Sequence, residues 1–181
     1  SIDKTGPLTG EPVTWTDRVV GGGSYQVSHA PEAGDEVRFV RSSGNTQLTL
    51  GRLDDPFGDG PWETDSVAVP EFAFANRART PIGPGLWVVD PRIWQAYRRG
   101  DRLAASHAIA SGGSEDIAAR WYEIDLAGTP ELVMSGELRF EPGEDTIFPA
   151  VAIDAAGAIG AVYGRTSATS HPSVGIAGRI P

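Results

Sequence analysis

The sequence predicts an all-β fold, a partial β-propeller of about two and a half four-stranded blades, with a β-sandwich as the alternative. Three observations carry the prediction. Short β-rich runs are separated by clusters of Gly, Pro, Asp and Ser at the spacing of consecutive strands. The 181 residues include 23 Gly and 14 Pro, which demands many turns. The last strands are apolar on both faces, as expected for small sheets packed face to face about 10 Å apart, whereas a sheet wetted on one side would alternate with polar residues. No stretch spaces its apolar residues at three to four, so almost no helix is expected.

Residues 1–23 read as a leading segment, rich in Gly, Pro and Thr, that closes on the flexible run Gly21-Gly22-Gly23. The first blade, 24–69, holds strands at Tyr25–His29, Glu36–Arg41, Gln47–Leu53 and Thr64–Val69. Val37, Phe39 and Arg41 alternate with Arg38 and Val40 in the period of two that a pleated strand imposes. Ser42-Ser43-Gly44-Asn45 supplies the hairpin turn to the third strand. Residues 70–89 have no periodicity and read as a long connection.

The second blade, 90–140, is the most regular part of the chain. It runs through Arg92–Arg98, Leu103–Ala110, Ile117–Leu126 and Leu132–Phe140, with turns at Gly100-Asp101, Ser111–Glu115 and Ala127–Pro130. An incomplete third blade, 141–181, follows with strands at Ile147–Asp154 and Ile159–Thr166 and about one more. Fewer than three blades are counted where closed propellers have typically four to eight, and a blade repeat of about 40–50 residues fits the spacing seen. Edge strands of an unclosed ring present unpaired N–H and C=O groups, so remaining blades or a second chain are expected there.

Trp121-Tyr122-Glu123-Ile124-Asp125, Ser135-Gly136, Phe148-Pro149-Ala150-Val151-Ala152-Ile153-Asp154 and Gly157 form an ordered series, continued by Ser167, His171-Pro172-Ser173 and Gly178-Arg179. Asp90, Arg92, Ala96 and Arg99-Gly100 precede it. This series resembles a group of uncharacterised bacterial sialidase-like β-propeller proteins over roughly residues 90–179. The resemblance implies a truncated propeller, since in that pattern more chain follows the closing Gly-Arg. It also implies export, hence an extracellular or cell-envelope location. The chain starts at Ser1 with no charged-then-apolar leader, so any export signal is expected upstream.

The formal net charge of −9 and the scatter of the 15 basic residues argue against nucleic acid, whose binding rests on clustered Lys and Arg. No apolar run approaches the roughly 20 residues of a membrane span. Without cysteine there is no disulfide, thiolate metal site or cysteine nucleophile.

Sialidase-type hydrolysis needs arginines for a carboxylate, a Tyr nucleophile paired with Glu, and an acid/base Asp. Arg92, Arg102, Arg120, Tyr122, Glu123 and Asp125 supply those types. Strand alternation, however, places Arg120 and Tyr122 on one face and Glu123 and Asp125 on the other. The expected role of these residues is structural, with no catalytic set. No Asp-box turn is complete, and His107 shares a face with Leu103, Ala105 and Ile109, as a buried hydrogen-bonded histidine would.

Asp54, Asp55 and Asp59 make the only loop suited to Ca²⁺. Their spacing departs from the EF-hand pattern, so no cofactor is expected beyond possible calcium there. Trp62, Trp87 and Trp94 lie near loops or strand ends and are the candidate binding residues, able to stack on sugars or peptides. The expected function is an extracellular non-catalytic recognition or scaffolding module that binds protein or glycan. A fragment of a sialidase-like glycoside hydrolase is the alternative.

Overall fold

The computed structural model describes residues 24–31, 36–55, 60–88, 91–110 and 115–180. Its architecture is all-β, with no helix among the described residues. Strands β1 (Gln26–Val27), β2 (Glu36–Ser43), β3 (Gln47–Asp54) and β4 (Trp62–Ala68) form one antiparallel meander. A short ladder joins β5 (Arg77–Ala78) to β6 (Leu86–Trp87) inside the connection. The second meander is β7 (Gln95–Arg99), β8 (Arg102–Ala110), β9 (Ile117–Asp125) and β10 (Glu131–Leu138). A third sheet comprises β11 (Glu144–Ile153), β12 (Ile159–Ser167) and β13 (Ser173–Arg179). Among the described residues none of the sheets closes on itself.

The sheets stack, and the second is the filling. Leu103, Ala105, Ile109, Tyr122 and Ile124 of its β8 and β9 meet Val40, Leu48, Leu50 and Val67 of the first sheet. Its opposite face places Ala104, Tyr97 and Trp121 against Val151, Ile153, Ile159 and Ala161 of the third. Both parities of β8 are therefore buried, and Leu103–Ile109 is an unbroken run of seven buried residues. Each large aliphatic side chain so enclosed contributes about 1.5–3 kcal/mol.

Like strands sit beside like strands. β1 approaches β7 in parallel through the His29–Tyr97 bridge, where His29 N–H donates to Ala96 O at 3.0 Å and Arg98 N–H to His29 O at 2.7 Å. β4 reaches β10 at the opposite margin, whereas β11 crosses β8, β9 and β7 of the second sheet.

The third sheet departs from the expectation that both faces are covered. Val151, Ile153, Ile159 and Ala161 are buried, but Ala150, Ala152, Gly160 and Val162 on the other face are exposed. The apolar pattern is present on both faces; among the described residues only one has another sheet to meet.

Each of the three larger sheets also lays an aromatic ring over a glycine: Trp62 over Gly51, Trp121 over Gly136 and Tyr163 over Gly175. A Cβ at Gly136 would stand 2.9 Å from the Trp121 ring, which is held between two sheets. Gly136→Val is expected to destabilise the fold by about 1–3 kcal/mol through overpacking. Urea unfolding of the variant checks this, and a loss below about 0.5 kcal/mol, the range of ordinary surface changes, would refute it.

Candidate functional site

The residues with catalytic chemistry are spread over both faces of the second sheet. Tyr122 faces the first sheet and is fully buried. Its neighbour His107, also fully buried, holds Pro91 O at 2.8 Å through Nδ1 and Tyr122 Oη at 2.8 Å through Nε2. A carbonyl only accepts, so Nδ1 carries the proton and Nε2 accepts from the phenol. Burial lowers the His107 pKa to about 4, against the pull of the Pro91 bond, and the nearby Arg120 charge lowers it further. Burial pushes the Tyr122 phenol up to about 12, opposed by Arg120. Phe72 closes the pocket, its ring centroid 4.7 Å from the imidazole.

Arg120, on the face of Tyr122, is committed elsewhere. It pairs with Glu137 and donates to Pro70 O at 2.8 Å and Glu71 O at 3.1 Å. Arg102 and Glu123 lie on the face towards the third sheet, as alternation predicts, and pair with each other. Arg179 of β13 donates to the second Glu123 oxygen at 2.8 Å. Glu123 is fully buried between those two guanidinium groups. Arg92 lies at the surface in the segment before β7. The structure thus joins Arg102 to Glu123 and Tyr122 to His107, and separates these pairs by the thickness of a sheet.

A second charged centre, formed by residues the sequence analysis does not single out, ties the connection to two sheets. Asp145, fully buried at the start of β11, accepts from the Arg79 backbone N–H at 2.6 Å. It also accepts from Arg79 Nε at 3.0 Å, Arg79 Nη2 at 2.7 Å and the Ile117 backbone N–H at 2.8 Å. Arg79 Nη2 reaches Asp116 at 2.6 Å as well, and this hydrogen bond holds the Asp116 carboxyl below its ordinary pKa. The Asp145 hydrogen bonds in turn raise the guanidinium pKa. Beside them, Thr146 Oγ1 accepts from Ala119 N–H at 2.7 Å and donates to Leu138 O at 2.7 Å. The legible signal was Asp145-Thr146, two polar residues opening an otherwise apolar strand.

The three tryptophans differ in what they can offer. Trp62 packs edge-on against Tyr25 and Phe39 at 5.5 and 5.2 Å. Trp94 meets Phe148 edge-on at 5.5 Å, and its buried indole N–H has no acceptor among the described residues. Phe148 itself, at φ +49°, occupies the left-handed region at the irregularity between Ile147 and Ala150.

Trp87 is different. It is 52 % exposed on the short β5–β6 ladder, directly across from Arg77, whose guanidinium carbon lies 4.7 Å from its ring centroid. The Pro81-Ile82-Gly83-Pro84-Gly85 loop, with positive φ at both glycines, folds the ladder and brings the two together. Arg77 was not foreseen in this role; the Pro/Gly turn between it and Trp87 was the available signal.

In the acidic loop, Asp54 lies 3.4 Å from Arg52 and Asp55 adopts φ +49°, while Asp59 falls outside the described residues. No group of three or more His, Asp or Glu among the described residues is arranged to hold a metal ion. No helix among them is long and apolar enough to cross a membrane. Comparison of the chain with protein-family models, with curated proteins and with solved structures finds no match.

Proposed function

We propose that this chain is a non-catalytic recognition module of β-propeller type, acting outside the cell or in its envelope, which takes a glycan on the ring of Trp87. The observation that carries the reading is the contrast between Trp87 and the groups capable of catalysis. Tyr122 and Glu123 are sealed inside the stack and saturated by their own partners, whereas the Trp87 ring stands half exposed beside a cation. An exposed indole offers a flat apolar face to the C–H groups of a pyranose, and the Arg77 guanidinium offers donors to its hydroxyls or carboxylate. Arg77 also orients the ring, an exposed cation–π contact being worth about 0.5–1 kcal/mol.

The propeller assignment is supported by three meanders stacked face to face, with β1 beside β7 and β4 beside β10 where the first two meet, and β11 crossing the second. The extracellular or envelope location rests on the resemblance of residues 90–179 to sialidase-like propeller proteins. Fold alone does not assign a ligand.

A glycan array followed by calorimetric titration of the best binder tests the proposal. Trp87→Ala is expected to weaken binding at least about tenfold, the loss of roughly 1.4 kcal/mol, with an unchanged melting temperature. Trp62→Phe, inside its aromatic cluster, is expected to leave affinity unaltered. Turnover of a fluorogenic sialoside by the chain, or glycan affinity indifferent to Trp87, would overturn the reading.

A further inference from the structure

The uncovered face of the third sheet has a graded relief. Ala150, Val162 and Ile176 are register partners on β11, β12 and β13, so one row across the sheet runs from small through medium to large. Ile176 stands 80 % exposed at one end of the row, and Val162 is 48 % exposed at its centre. The neighbouring row, Ala152–Gly160–Gly178, is small throughout. An open apolar hollow of about 650 Å³ lies against Ala150, Ala152, Gly160 and Val162, with Ile176 at its edge.

We infer that this face is a self-association surface, on which a second copy of the chain docks about a two-fold axis passing through Val162. Such an axis turns the row end for end. Ile176 of each copy then enters the hollow over Ala150 of the other, and the two Val162 side chains meet at the centre. The all-small row lets the backbones approach to the roughly 10 Å of packed sheets. Complementarity to itself is what an isologous interface requires, and two-fold dimers are the commonest symmetric assembly.

Charge singles out the same face. Two copies of a chain with net charge −9 repel each other in general, but neither row carries a charged side chain. The polar and charged groups that line the hollow and its continuation lie outside the two rows, namely His29, Gln95, Tyr97, Arg99, Asp154 and Arg179. An apolar centre with a mixed polar rim is the anatomy of a protein–protein interface. This inference is independent of the glycan reading, whose residues lie on the β5–β6 ladder.

Sedimentation velocity of the 181-residue chain, from micromolar to several hundred micromolar, tests it. A monomer–dimer equilibrium is expected, weakened by an order of magnitude or more in Ile176→Lys and in Val162→Glu. Both positions are exposed, so the melting temperature of the monomeric variants, recorded alongside, is expected to hold. Ala150→Ile and Ile176→Ala are each expected to weaken the dimer, and the double variant, which reverses the slope of the row, to restore it. A chain that stays monomeric throughout, open-ended polymers, or a dimer indifferent to both charged variants would overturn the inference.

Discussion

Replacing Asp145 with Ala is expected to lower the free energy of unfolding by about 3–5 kcal/mol, the range for breaking a buried ion pair by removing one partner. The size follows from what the carboxylate holds. It accepts two backbone N–H groups, from Arg79 and Ile117, and two guanidinium donors from Arg79. Removing it leaves the Arg79 and Ile117 N–H groups without their acceptor at a fully buried position, while the guanidinium, about a third exposed, keeps Asp116 and access to water. The same residues join the connection to both the second and third sheets, so their contacts weaken together.

For a chain of this length the melting temperature should fall by on the order of 10 °C. Asp116→Ala provides the contrast. That carboxylate is about a third exposed and shares the same arginine, so its loss is expected to be well under half as large. Urea unfolding of the two variants side by side settles the comparison; an Asp145→Ala protein within about 1 kcal/mol of wild type would show that the network is peripheral to stability.

The second large effect is a loss of stability on mild acidification, traced to His107. Its folded pKa of about 4 lies below the ordinary value of 6.5. The unfolded chain therefore binds a proton that the folded chain refuses between those values, and stability falls as pH drops from about 6.5 to about 4 before levelling off. Above about 6.5 the contribution is fully present. At 1.36 kcal/mol per pKa unit the loss is about 3 kcal/mol.

Glu36 and Asp116, whose carboxyls are held low by arginine partners, add acid lability at lower pH in the same direction. The diagnostic quantity is thus the difference between wild type and His107→Gln, which retains polar atoms towards Pro91 and Tyr122 but does not titrate. Urea midpoints at pH 7, 5.5 and 4 should converge between the two proteins as pH falls. Parallel curves would place the acid sensitivity elsewhere.

Much of the fold was legible because each strand carries its own pattern and its own stop. Gly44, Gly100 and Gly157, all at positive φ, sit in the turns read from sequence. The strands around them begin and end within a few residues of the expected positions. Alternation alone correctly placed Arg120 with Tyr122 and opposite Glu123, because side chains on a strand must take opposite sides.

The pair Arg77–Ala78 with Leu86–Trp87 was not legible. Two-residue ladders are too short to show a period, and only the Pro/Gly loop between them marks a reversal. The Arg79–Asp145 centre was hidden for another reason. Its members are 66 residues apart, and the polar pair Asp145-Thr146 at the head of an apolar strand does not say which arginine it will meet.

By itself, then, the sequence determined which residues form strands, where they turn and which side chains share a face, since pleating and turn chemistry act over a few neighbouring residues. Only the tertiary structure decided which of those faces would be covered. β8 and the outer side of β12 are both apolar, yet one is sealed between sheets and the other lies open. It likewise decided that Tyr122 would meet His107 and that Trp87, of the three candidate tryptophans, would keep the most open ring beside a cation. These outcomes depend on which sheet stacks against which, and that choice is made by contacts between residues far apart in the chain.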